Sequence, residues 1–181
     1  MSFWETFWKL NLIIRSKLLD QAPYENLFGV RYKMINIEQF DHVGIRITDR
    51  KRSVEYYEFL GFKVEVEVDF DDVIIMKNAH GVEINLVVNG EDLNHGKNIL
   101  MDMPEKHTGF THVALRVESI ITTLEMLEEN NITISQGPVT FGHDGHVSVF
   151  LRDPDRNTLE LRGRIEDEKD IPNLVFYDPN D

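Results

Sequence analysis

The stretch Gln39-Phe-Asp-His-Val-Gly-Ile-Arg-Ile47 returns without a gap as Gly109-Phe-Thr-His-Val-Ala-Leu-Arg-Val117 when the chain is slid over itself by 70 residues. Phe40 coincides with Phe110, His42 with His112, Val43 with Val113 and Arg46 with Arg116. A later pair aligns at an offset of 75, where Met76 to Leu86 falls on Leu151 to Leu161 and Asn85 meets Glu160. Such self-similarity means one supersecondary unit written twice, so function is to be sought between the copies.

Inside the first stretch the residues alternate with the two-residue period of a strand. Val43, Ile45 and Ile47 point one way, and Phe40, His42, Gly44 and Arg46 point the other. Asp49 then offers an N-cap, Val54 and Tyr57 an apolar stripe, and Gly61 a stop, which predicts a helix of about ten residues. Strands are expected over Lys63 to Val68, Asp72 to Lys77 and Val82 to Val88, so the unit reads βαβββ. The second copy repeats the plan. A strand from Thr111 to Val117 precedes a helix from Ser119 to Glu129 that turns Ile120, Leu124 and Leu127 to the sheet. Strands near Ile132 to Ser135, His146 to Leu151 and Thr158 to Arg162 complete it, with Asp153-Pro-Asp-Arg-Asn157 a tight turn. The expected core is Val43, Ile45, Ile47, Val54 and Tyr57, matched by Val113, Leu115, Val117, Leu124 and Leu127.

Around these copies lie appendages. Phe3, Phe7, Leu10, Ile14 and Leu18 recur at spacings of three and four, which predicts a helix over 3–19. Its apolar stripe packs on the main domain or a dimer mate, or lies in a membrane interface; the scarcity of basic residues on its polar face weighs against the last. Pro23 and Gly29 mark a linker. The expected divisions are 1–36 for helix and linker, 37–90 for the first module, 91–108 for a connecting loop, 109–163 for the second module and 164–181 for an acidic tail. In that tail Ile171, Leu174, Val175 and Phe176 have no evident place.

Composition narrows the classes of function. A net charge of −13 over 181 residues argues against nucleic acid and against anionic membrane surfaces. The absence of cysteine excludes disulfides, thiolate metal sites and cysteine nucleophiles, and fits a cytoplasmic protein. No run reaches ~18 consecutive apolar residues, and the N-terminus lacks the basic start and small-residue cleavage site of a signal peptide, so no membrane span is expected.

Strand parity gathers the chemistry on one face. The helices must cover Val43, Ile45, Ile47 and their partners, which turns His42 and His112 to the opposite side, each two residues from a small Gly44 or Ala114. In the last strand Leu159 and Leu161 go to the helix side and Glu160 joins the histidines. Two imidazoles and one carboxylate form a facial ligand set for a divalent first-row metal with open positions remaining. Either histidine taken alone reads more simply as a structural or surface residue. Their equivalent places in a repeat favour the metal reading. The same parity puts His146, Ser148 and Phe150 on this face. His146 is either an acid or base near a substrate, with Asp71 its repeat equivalent, or an exposed loop histidine. Arg46 and Arg116 share the histidines' face and either bind a substrate carboxylate or neutralise nearby acids. Glu83 and Asn85 also lie there, and the repeat alignment sets Asn85 opposite Glu160.

Phe40-Asp-His-Val-Gly-Ile, Ser53-Val-Glu-Tyr-Tyr-Glu-Phe-Leu-Gly-Phe62 and Asp153-Pro-Asp-Arg-Asn-Thr-Leu-Glu-Leu161 resemble the vicinal oxygen chelate superfamily, the glyoxalase I, bleomycin-resistance and extradiol dioxygenase group. The resemblance covers about Ile37 to Gly163. It implies an α+β fold in which the tandem βαβββ modules make a curved, cup-like sheet of eight strands, here with an extra N-terminal helix. It also implies one divalent ion (iron, manganese, nickel, zinc or cobalt) held by His42, His112 and Glu160, and bidentate chelation of a small oxygenated substrate. Three departures stand out. Arg156 occupies a position that is usually glycine, Asn85 one that is usually glutamate in glyoxalase-like members, and the N-terminal helix has no counterpart.

Two classes of function follow. One is a metal-dependent enzyme, either a glyoxalase-like lyase or isomerase or an extradiol-type dioxygenase, acting as a homodimer with Glu160 and His146 in catalytic roles and Arg46, Arg116, Ser148, Phe150 and Asn85 around the substrate. The other is a metal-free protein that sequesters a small molecule in the cup, as bleomycin-resistance-type members do. Such a binder has no use for two histidines and a glutamate, which favours the enzyme. Asn85 at the expected fourth ligand position points to three firm protein ligands. A shifted register bringing Glu83 to the ion is the rival arrangement.

Overall fold

The computed structural model describes residues 24–25, 31–32, 35–68, 70, 72–142, 145–165 and 170–178. The chain divides into two compact units, Met1–Phe40 and Asp41–Asp181. In the first, strands β1 (Tyr24–Glu25) and β2 (Arg31–Tyr32) pair antiparallel. The helix expected over 3–19 lies outside the described residues, as does Asp71.

The second unit holds β3 (His42–Arg46), α1 (Arg50–Phe59), β4 (Phe62–Val68), β5 (Val73–Asn78) and β6 (Glu83–Val87), then β7 (Val113–Arg116), α2 (Ile120–Glu129), β8 (Ile134–Thr140), β9 (His146–Arg152) and β10 (Thr158–Arg164). Each helix begins where the sequence supplies a cap. The Asp49 carboxylate accepts from the Arg52 N–H at 2.8 Å, and the Ser119 hydroxyl accepts from the Thr122 N–H at 3.0 Å. The first helix ends at Gly61, whose φ of 88° is the left-handed conformation that glycine adopts at least cost.

Two sheets result. One has the order β3-β6-β5-β4, and the other β11-β8-β9-β10-β7, where β11 is Val175–Phe176. The fifth strand corrects the reading of the acidic tail as unplaced. Val175 and Phe176 pair in parallel with Val139 and Thr140, and Ile171 is buried in the core. A two-residue strand amid Asp, Pro and Asn carries no periodic signal, so only the neighbouring β8 edge reveals it.

The parallel ladders fix the site. Gly44 is opposite Asn85 between β3 and β6, and Ala114 is opposite Glu160 between β7 and β10. Asn85 therefore holds in the first sheet the place that Glu160 holds in the second. Between the sheets and helices lies one core cluster that includes Ile45, Ile47, Tyr57, Met76, Leu86 and Ile120 with Leu127, Val149, Leu159 and Leu161. Val43, Val54, Val113, Leu115, Val117 and Leu124 pack against it half-buried.

The halves are also joined by polar contacts. Fully buried Tyr57 on α1 donates its hydroxyl to Asp153 Oδ2 at 2.8 Å, and Ser53 donates to Asp155 Oδ2 at 3.2 Å. Thr48 and Arg52 donate to the other Asp155 oxygen. Thus α1 is fastened to the turn between β9 and β10. In that turn Arg156 has a φ of 67°, which explains why glycine suits the position; Arg156 bonds instead to Asp102 in the connecting loop, as does Arg152 at 2.9 Å.

Candidate metal centre

On β10 the flanking Leu159 and Leu161 enter the core, so Glu160 projects to the opposite face, where it remains only 7% exposed. A carboxylate this buried requires partners. Its Oε1 accepts the Ser148 hydroxyl from β9, with Arg162 Nε at 3.7 Å, and its Oε2 is 3.1 Å from His112 Nε2. His112 stands just before β7. The Thr111 hydroxyl lies 3.0 Å from its Nδ1, and Phe150 meets its ring edge to face at 5.8 Å between centroids. These contacts orient the imidazole so that Nε2 addresses the carboxylate.

The first sheet gathers a second cluster. His42 is directly opposite Glu83, and its Nδ1 lies 2.6 Å from Asp41 Oδ1. Among the described residues, Asp41, His42 and Glu83 are the group of three whose ligand atoms all lie within 4.8 Å of one another. Glu83 is also 3.0 Å from Lys77 Nζ. With its amide turned to satisfy its neighbours, Asn85 donates to Glu83 Oε1 at 3.3 Å and to the Ile84 carbonyl at 3.1 Å. The expected ligands thus fall into two clusters, His42 on one sheet and His112 with Glu160 on the other.

The remaining residues named from the sequence are placed as follows. Arg46 donates to Asn89 Oδ1 at 3.0 Å, and Arg116 to His146 Nε2 at 3.2 Å. Ser148 is buried with its hydroxyl on Glu160, and Phe150 packs on His112. Sequence reasoning missed Asp41 and Arg162. Asp41 adjoins His42 in sequence, and Arg162 is two residues from Glu160 on the same strand face, so adjacency and parity were the available signals. A cavity of about 900 Å³ lies elsewhere, lined by Arg116 but by none of His42, His112 and Glu160.

The profile of the Glyoxalase/Bleomycin resistance protein/Dioxygenase superfamily matches residues 39–161, the span that contains both clusters. The chain belongs to this superfamily. Among its glyoxalase relatives is a putative lactoylglutathione lyase of Brassica oleracea, 30% identical over 143 residues, covering 76% of this chain and 48% of the relative. The chain thus spans about half the length of that protein. A probable lactoylglutathione lyase of Synechocystis is 28% identical, covering 66% of this chain and 91% of the relative. A glyoxalase/dioxygenase from Nostoc punctiforme shares the fold with a TM-score of 0.59 and 21% identity, over 75% of this chain and 98% of that one. In this glyoxalase-superfamily chain both clusters combine imidazole nitrogen with carboxylate oxygen, the donors that divalent first-row metals accept. The residues present therefore fit such an ion. Among the described residues no helix is long and apolar enough to cross a membrane.

Proposed function

We propose that the chain is a divalent-metal-dependent enzyme acting on a small molecule with neighbouring oxygens, with His42, His112 and Glu160 as the protein ligands. The observation that carries this reading is Glu160 itself: a buried carboxylate, oriented by Ser148 and facing His112 Nε2 at 3.1 Å. When bound, the ion supplies Lewis acidity toward the substrate oxygens.

The side chains divide the remaining work. The Ser148 hydroxyl occupies Glu160 Oε1, which leaves Oε2 as the atom that takes or returns a proton. Phe150 packs edge to face beside His112 and supports that side of the ring. His146, whose Nε2 lies 3.2 Å from Arg116, is the side chain assigned to proton transfer, and Arg116 presents its guanidinium to an anionic part of the substrate. Asn85 offers a neutral amide where Glu160 has its repeat equivalent, which leaves three firm protein ligands and further positions for substrate.

The same reading treats 37–90 and 109–163 as tandem βαβββ modules joined by 91–108, with eight of their strands forming one cup, preceded by helix and linker over 1–36 and followed by the tail 164–181. It treats the working form as a cytoplasmic homodimer. In support, β3 and β7, which carry or adjoin the two histidines, both stand at the end of their sheets. Relatives named as lactoylglutathione lyases favour glyoxalase-like chemistry over dioxygenation.

Elemental analysis of purified protein, followed by assays with the hemithioacetal of methylglyoxal and glutathione and with catechols under oxygen, tests the proposal. One bound ion per chain, lost in His112→Ala and Glu160→Gln while the fold persists, is the expected result. Full metal content in both variants would overturn the ligand assignment, and turnover of catechol alone would replace the lyase reading.

A further inference from the structure

The cavity of about 900 Å³ shares Arg116 with the function proposed above but none of its metal ligands, and its size matches small-molecule sites, which run from roughly 300 to 1,000 Å³. It lies within the second unit, between the end of α1, the turn joining β5 to β6, and the β7–α2 corner. Phe59, Leu60, Phe62, Val82, Met126 and Leu161 give it a predominantly apolar wall. Because β7 is the end strand of its sheet, the cavity wraps around that edge. It is therefore lined by Leu115, from the core face of the strand, and by Arg116, from the other.

Among the described lining residues the charged side chains are Arg116, Arg164 and Glu118. The two arginines adjoin the same histidine: Arg116 donates to His146 Nε2 at 3.2 Å, and Arg164 is the ladder partner of His146 between β10 and β9. Two guanidiniums beside an apolar chamber form a recognition site for an oxyanion attached to a hydrocarbon body.

We propose that this cavity is a second ligand site, which takes an amphipathic anion with its apolar body among Phe59, Leu60, Phe62, Val82 and Met126 and its carboxylate or phosphate head on Arg116 and Arg164. Glu118 and the apolar wall set the selectivity, disfavouring polyanions and short polar acids. The site is independent of bound metal, since its lining contains none of the proposed ligands.

Calorimetric titration of the full chain, with and without loaded metal, tests this with octanoate and octyl phosphate, using octanol and octylamine as controls. Saturable binding of one or both acids at one site per chain is expected, with octanol at least ~10-fold weaker, a difference of about 1.4 kcal/mol. Whichever acid binds more tightly identifies the head group. The paired change Arg116→Ala and Arg164→Ala should remove the preference for acids over octanol, while Met126→Asp should weaken both acids and leave metal content unchanged. Arg164→Lys, which retains the charge, should keep most of the affinity. Octanol binding as tightly as octanoate, acid affinity unaltered by the arginine changes, or no saturable binding of either acid would each overturn the proposal. Metal content measured on the same samples separates this outcome from failure of the metal site.

Discussion

At the scale of single residues, Ser148 is the side chain whose role is most sharply defined by its contacts. It is buried, and its hydroxyl meets only one oxygen of Glu160, leaving the other toward His112. Partners of this kind hold a ligand in the orientation it needs, and their loss typically costs about 10–100-fold in metal affinity. Ser148→Ala is therefore expected to lower metal affinity by ~10–100-fold, measured by competition with a chelating dye, with a loss of stability on the ~1.5–3 kcal/mol scale of a hydrogen bond to a buried carboxylate. Affinity equal to that of the unaltered protein would show that Ser148 does not orient the ligand. His42 and His112 were legible from their equivalent places in the repeat. Asp41 was not, because an exposed aspartate beside a histidine carries no periodic signal.

Among the elements, α1 and the β9–β10 turn are coupled through Tyr57 and Asp153. Tyr57→Phe removes a hydrogen bond to a buried carboxylate and leaves the ring packing in place, so a loss of ~1.5–3 kcal/mol is expected by urea denaturation. A change below about 0.5 kcal/mol, the usual surface scale, would mean that the contact contributes nothing to stability. Burial pushes the Asp153 carboxyl above the usual range, against the lowering effect of bonds from Asn157 and Tyr57. A carboxyl whose folded-state pKa is raised contributes stability that is fully present below its unfolded value and is lost as pH rises through the folded value. The stability of the natural protein relative to Asp153→Asn should therefore fall as pH increases from about 4. A relative stability that is flat or rises over this window would contradict the assignment.

For the whole molecule, the division at Phe40 and Asp41 leaves His42, His112 and Glu160 all within the second unit. A chain beginning at Met34 is expected to fold, to bind metal with unaltered stoichiometry and to differ, if anywhere, in oligomeric state. Elemental analysis and sedimentation on the shortened chain check this, and loss of folding would show that the N-terminal segment is integral to the domain. A bound ion should also raise the melting temperature of this chain. Stabilisation of about 2.7 kcal/mol is expected at 100 times the dissociation constant if the ion prefers the folded state.

Alternation in Val43, Ile45 and Ile47, the caps at Asp49 and Ser119, and the repeat of His42 at His112 determined the strands, the helices and the face on which chemistry gathers. These features are local or are copied along the chain, so a single sequence displays them. The contacts that only tertiary structure decided are those whose partners lie far apart: Tyr57 with Asp153, Arg152 with Asp102, and the tail strand Val175–Phe176 beside Val139 and Thr140. The division of the expected ligands between two sheets belongs here as well. Parity determines which way a side chain points from its strand, whereas the distance between two strands depends on how whole sheets pack. No periodicity along the chain encodes that packing.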